Sequence, residues 1–154
     1  MKKIIILLLP ILFLLGCENT LNTPTSKVES FFKKYQTLDK NVLLDLDNYI
    51  DKNNKLTKKQ KEEYKEVLKK QYQNLSYKIK NEEVEKDVSI VETEIEVLDY
   101  SRIKEKNINK KLDKMKNTEE KKKYELTFYL NKEKGIWKID SLSEDDYKKI
   151  NGLY

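Results

Sequence analysis

The sequence predicts an α+β domain in which N-terminal helices precede and pack on an antiparallel sheet. Three observations carry this expectation. Apolar residues recur at helical spacing up to residue 75, the period then switches to two, and a second period-two block closes near the C-terminus in a glycine-containing hairpin. The expected layout is a signal segment over residues 1–16, a tether over 17–25 and one domain over 26–154.

Lys2 and Lys3 precede an apolar run over residues 4–15 that only Pro10 interrupts, the charged and apolar regions of a secretory signal. About a dozen residues at roughly 1.5 Å each cover little more than half of a hydrocarbon core of roughly 30 Å, which is too short for a permanent span. Residues 18–25 are mostly Asn, Thr and Pro and read as the tether.

Ser26 and Glu29 form a capping-box pattern, and Val28, Phe31, Phe32 and Tyr35 follow at helical spacing. Val42, Leu43, Leu44, Leu46, Tyr49 and Ile50 suggest a shorter second helix, ended by the polar cluster over residues 51–55. Thr57 and Gln60 repeat the capping pattern before a third helix with Tyr64, Val67, Leu68, Gln71 and Tyr72 on one face.

Leu75, Tyr77 and Ile79 then alternate with polar residues, and residues 81–86 read as a charged turn. In the next strand Val91, Thr93, Ile95 and Val97 share one face and Glu92, Glu94 and Glu96 the other, with a bulge or bend expected near Ile90 or Leu98. Residues 101–118 read either as a short helix carrying Ile108, Leu112 and Met115 or as an insertion between strands. Alternation returns at Tyr124, Leu126, Phe128 and Leu130, and resumes over residues 136–139 after a connection over 131–135. Tyr147, Ile150 and Leu153 suggest a last helical turn or two.

Charged and apolar residues each make up 38% of the chain, a balance close to that of disordered segments. Ten tyrosines, four phenylalanines and one tryptophan, set in clear periodic patterns, decide for a thinly cored folded domain. The formal net charge is +5, and loss of Lys2 and Lys3 with the signal leaves about +3. With no histidine and a single cysteine, histidine acid–base chemistry, His/Cys metal sites, cysteine nucleophiles and disulfides are excluded or nearly so.

Leu14, Leu15, Gly16 and Cys17 close the apolar run, and Cys17 is the sole cysteine. This stretch resembles the lipobox of bacterial lipoproteins. The resemblance implies signal cleavage between Gly16 and Cys17, lipidation of Cys17, and an extracytoplasmic domain anchored to the cell membrane. The competing reading is an ordinary signal peptide cut nearby. Each buried methylene adds about 0.8 kcal/mol, so two or three acyl chains would hold the domain stably where one would not.

The opening helix, with Pro24, Val28, Phe31 and Phe32, and the closing Gly135-Ile136-Trp137-Lys138-Ile139 resemble the nuclear transport factor 2-like, or cystatin-like, fold. The resemblance implies helices on the concave side of a curved sheet, enclosing a cone that is either an open pocket or a filled core. Phe31, Phe32, Tyr35 and Trp137 would line such a pocket, with Tyr49, Tyr64, Tyr72, Tyr77, Tyr100, Tyr124, Tyr129 and Tyr147 as further natural lining, and a closed core is the favoured alternative. Enzymes of this fold place an Asp or His there, and this chain has no His to offer.

Glu92, Glu94 and Glu96 are the best-patterned carboxylates, either an oxygen-rich cation site or the solvated face of a half-buried strand, and the second is favoured. Asp45, Asp47 and Asp51 lack the glycine and terminal glutamate of a calcium loop. No cofactor motif and no metal cluster stands out. Lysine pairs such as Lys110-Lys111 and Lys121-Lys122 are interleaved with glutamates, and export argues against nucleic acid, leaving anionic envelope polymers or headgroups as candidate contacts. The expected role is a non-enzymatic binding or interaction module of the cell envelope. The alternatives are a small pocket enzyme using Tyr and carboxylate chemistry and a structural envelope protein.

Overall fold

A computed structural model describes residues 21–154; the signal segment, Gly16, Cys17 and the first part of the tether lie outside the described residues. Helix α1 (Pro24–Gln36) starts earlier than the Ser26–Glu29 pattern predicts. Its capping box is Thr23 with Ser26: the Thr23 hydroxyl accepts from the Ser26 N–H at 3.2 Å, and Ser26 Oγ accepts from the Thr23 N–H at 3.1 Å. Pro24, with φ already fixed and no N–H to satisfy, suits the first helical position and sets this start.

Helix α2 (Lys40–Asp51) is capped by Asp39 and buries Val42, Leu46 and Ile50. Helix α3 (Lys58–Asn74) carries the predicted Thr57–Gln60 capping box and buries Val67, Leu68, Gln71 and Tyr72.

Strands β1 (Ser76–Glu85), β2 (Val88–Leu98), β3 (Lys121–Glu133) and β4 (Ile136–Ile139) form one antiparallel sheet in sequence order. The expected turn over residues 81–86 is instead more strand, and only Lys86 and Asp87 make the connection, with Lys86 at φ +53°. Alternation fades there because the far half of β1 has no layer above it: every residue from Asn81 to Glu85 is exposed. The bulge lies in β1, between Ile79 and Asn81, and β2 pairs with β3 without a slip from Val88 to Leu98. Ser89 takes the inward position that the apolar pattern assigns to a parity change near Ile90.

Pairing of β3 with β4 continues through Lys132–Trp137 and Glu133–Ile136. The predicted five-residue connection therefore shrinks to Lys134 and Gly135, at φ +49° and +80°, the two positive values a tight hairpin turn needs.

The inner sheet face, with Val91, Ile95, Leu126 and Phe128, packs under Val28, Phe32, Leu68 and Tyr72 of the helices. Residues 101–118 resolve as a loop and helix α4 (Ile108–Lys116). Leu112 and Met115 form a second cluster with Val67, Leu98 and Tyr100. Helix α5 (Glu144–Ile150) is capped by Ser143, with acidic residues in its first turn and lysines in its last, as the helix dipole favours. The domain is thus α+β, with three helices ahead of a four-stranded antiparallel sheet.

Candidate functional site

The most tyrosine-rich concavity surrounds the C-terminal half of α2. One cleft of about 420 Å³ is lined by Tyr35 of α1, Asp45, Asn48 and Tyr49 of α2, Tyr72 of α3 and Tyr147 of α5. A second, of about 600 Å³, lies between Tyr49, Tyr64 and the connection Lys52, Asn53, Asn54 and Lys55. Tyr49 and Lys52 border both.

The local sequence explains this geometry. Val42, Leu46 and Ile50, one turn apart, pin α2 to the core, and Tyr49 stands at the border of that stripe with 46% of its surface exposed. Tyr35 and Tyr72 meet edge to face with ring centres 4.9 Å apart, and the Tyr72 hydroxyl donates to Asn151 Oδ1 at 2.9 Å. Burial pushes the phenols of Tyr35, Tyr64 and Tyr72 well above their ordinary value, with neighbouring tyrosines adding to the shift. These rings therefore stay neutral at physiological pH, offering ring faces and hydrogen-bond donors rather than a phenolate base. Amides from Asn48, Asn53 and Asn54 and charges from Asp45, Lys52 and Lys55 supply the polar rim.

Of Phe31, Phe32, Tyr35 and Trp137 only Tyr35 lines this cleft, together with Tyr49, Tyr72 and Tyr147 from the wider set of expected tyrosines, and Tyr64 lines the second. Phe32 is fully buried, stacks on Tyr77 at 4.6 Å and meets Phe128 edge-on at 5.5 Å. Phe31 meets Phe128 edge-on at 5.3 Å and Phe32 at the same distance, so the rings form one cluster. Trp137 is also buried, with Lys132 Nζ 5.5 Å from its ring centre. These three build the layer between helices and sheet. The sequence offers Tyr49 only as one tyrosine among many and misses Lys52, because an aromatic on a helical stripe and a polar helix end look alike whether or not they frame a cleft.

The acidic strand is a solvated face. Lys123 Nζ lies 2.9 Å from Glu94, Lys80 4.0 Å from the same carboxylate and Lys121 3.7 Å from Glu96. The hydrogen bond from Lys123 holds the Glu94 carboxyl below the usual carboxylate range. Among the described residues no group of three or more acidic, His or Cys side chains is placed to hold a metal ion.

A third cleft, of about 450 Å³, opens at the β1–β2 hairpin end of the sheet beside Val88, Ile90 and Tyr129, all exposed, with Glu83, Asn131 and Asp140 at its rim.

No protein-family model matches the chain, and no curated protein or solved structure matches it significantly.

Proposed function

We propose that the protein is a lipid-anchored extracytoplasmic binding module, held to the cell membrane through Cys17 and engaging its ligand at the clefts around Tyr49. The observation that carries the binding role is the meeting of two tyrosine-lined clefts at Tyr49 and Lys52, where ring faces and amide donors converge on accessible space. The anchoring role is carried by the sequence from Leu14 to Cys17. The nuclear transport factor 2-like resemblance belongs to the same proposal, supported by the order of three helices before a four-stranded sheet and by the closing Trp137 hairpin.

The test uses the full chain in a bacterial host. Metabolic labelling with an alkyne fatty acid is expected to mark the wild type and not Cys17→Ser, and the variant is expected to leave the membrane fraction. Labelling that persists in Cys17→Ser overturns the anchor. A photo-crosslinking amino acid at Tyr49 is expected to give a discrete adduct in cells, whereas the same group at Lys134 gives none. A second reading, docking through the exposed sheet face, is favoured by the clustering of Val88, Ile90 and Tyr129. It predicts the adduct from Tyr129 instead.

A further inference from the structure

The two ends of the sheet differ in what they carry. At one end, Asn22 is clamped to the β3–β4 hairpin: its Oδ1 accepts the Trp137 N–H at 3.1 Å and its Nδ2 donates to the Gly135 carbonyl at 2.6 Å. The chain leading back to Cys17 therefore leaves from that hairpin. At the other end, β2 finishes at Leu98 and β3 begins at Lys121, with α4 between them. Thirteen residues of β3 separate the two ends, roughly 40 Å at about 3.3 Å per residue.

Charge is divided along the same axis. Residues 101–123 hold ten Lys and Arg against four Asp and Glu, whereas the rest of residues 21–154 holds twenty against twenty-two. The net positive charge of the described domain thus sits at the α4 end. Part of it is neutralised in place: Arg102 pairs with Asp99 and Glu120, Lys114 with Glu105, Lys116 with Glu63, Lys121 with Glu96 and Lys123 with Glu94. Lys106 and Lys110 are exposed and Lys111 half-buried, and none of the three pairs with a carboxylate among the described residues.

These cations stand on a fixed frame. Leu112 and Met115 bury the underside of α4, Gln60 Nε2 donates to Asn109 Oδ1 at 2.8 Å, and Lys70 Nζ donates to the Lys116 carbonyl at 2.8 Å. A pre-set array loses less entropy on engaging a repeating anion than cations on a mobile loop would.

We infer that the α4 end, centred on Lys106, Lys110 and Lys111, docks a linear polyphosphodiester of the cell envelope. Its placement away from the bilayer rests on the anchoring proposed above. The residues between Asn22 and Cys17 reach only about 15 Å at about 3.3–3.6 Å each, well short of the roughly 40 Å of β3, so lipid headgroups are the less suitable anion. Such contact releases counterions and weakens steeply with salt.

The test uses inorganic polyphosphate as the probe and full-length lipidated protein in phosphatidylcholine nanodiscs, alongside full-length Cys17→Ser protein. Binding is expected to fall log-linearly with salt. The double variant Lys110→Glu/Lys111→Glu is expected to bind at least about tenfold more weakly with a flatter salt slope, while Lys86→Glu/Lys134→Glu at the hairpin end changes affinity less than about twofold. Both pairs are on the surface or half-buried, and glutamates in the first turn of α4 suit its dipole, so equal unfolding midpoints are expected. Absent binding, or equal loss from both double variants, overturns the inference. So does loss of polyphosphate binding when phosphatidylglycerol replaces phosphatidylcholine, which would assign this end to lipid. Tighter binding of single-stranded DNA than of polyphosphate of equal charge would assign it to nucleic acid. If Cys17→Ser binds polyphosphate as the wild type does but the wild type is not lipidated, anchoring fails and docking stands.

Discussion

Gln71, fully buried on α3, holds both backbone polar groups of Leu98: the Leu98 N–H donates to Gln71 Oε1 at 2.8 Å, and Gln71 Nε2 donates to the Leu98 carbonyl at 2.9 Å. Leu98 still pairs with Lys121 of β3 but lies past the last pair with β1, Ser76 with Glu96, and the amide supplies on that side the pairing a further β1 residue would have made. The C-terminal tail closes over this junction. The Tyr100 N–H donates to the Gly152 carbonyl oxygen at 2.8 Å, and Gly152 lies at φ +69°, where a Cβ would fall 2.0 Å from the Leu98 oxygen and 2.3 Å from Gln71 Nε2.

Gln71→Met keeps the volume and leaves two buried backbone groups unpaired. It is expected to cost about 2–4 kcal/mol, read as a lower urea midpoint with little change in slope. Gly152→Ala is expected to cost a similar amount, since the obstructing atom is backbone and cannot swing aside. Either variant matching the wild type would show that the junction is dispensable.

Thr93 presents the opposite situation. It is 1% exposed on the inner sheet face, and its hydroxyl has no hydrogen-bond partner. Thr93→Val replaces the hydroxyl with a methyl of similar shape and is expected to stabilise the fold by about 1 kcal/mol. A destabilised variant in the same urea titration would mean that the hydroxyl is satisfied in solution, by water for example.

The buried phenols predict a loss of stability in alkali. Tyr35, Tyr64 and Tyr72 hold their protons above the ordinary tyrosine value, whereas in the unfolded chain they release them near pH 10. Their contribution is therefore complete below about pH 10 and is lost as pH rises through the folded values. In a tyrosinate absorbance titration these three of the ten tyrosines are expected to ionise only where the far-ultraviolet circular dichroism collapses. Full ionisation with the dichroism intact would contradict their burial.

At acid pH the sign reverses. Lys123 holds the Glu94 carboxyl low, so this ion pair favours the folded state above the ordinary glutamate value near pH 4 and stops doing so as pH falls through the lowered one. Lys123→Met is expected to raise the Glu94 titration midpoint toward the ordinary range in a carboxyl-carbon NMR titration. Because Lys123 is exposed and Glu94 only half-buried, the change in stability should be small and shrink at high salt.

The helices and the inner sheet face were legible because burial imposes a period. Val28 with Phe32, Leu68 with Tyr72, and Val91 through Val97 each repeat at the spacing their element requires. The outer half of β1 was illegible for the same reason: exposed on both faces, residues 81–85 have no pattern to show, and their strand is set by pairing with residues 88–92. The candidate site was less legible still. Its tyrosines come from α1, α2, α3 and α5, and only the tertiary packing reveals which of them leave open space between them. Gln71 stood in the apolar stripe as an apparent exception, and its partner was a backbone that no side-chain pattern could mark.

The Asn22 amide offers one acceptor and one donor to the outer edge of β4, imitating a single residue of a further strand. An antiparallel sheet in sequence order has two open rims along which another chain could add, and this side chain obstructs one of them beside Trp137. The other rim, β1, is interrupted by its bulge and lined by Glu82, Glu83 and Glu85, whose charges would repel a like copy. Copies of this chain are thus hindered from joining edge to edge, and the same asparagine that fixes the entry to α1 against the β3–β4 hairpin also guards the sheet against self-association.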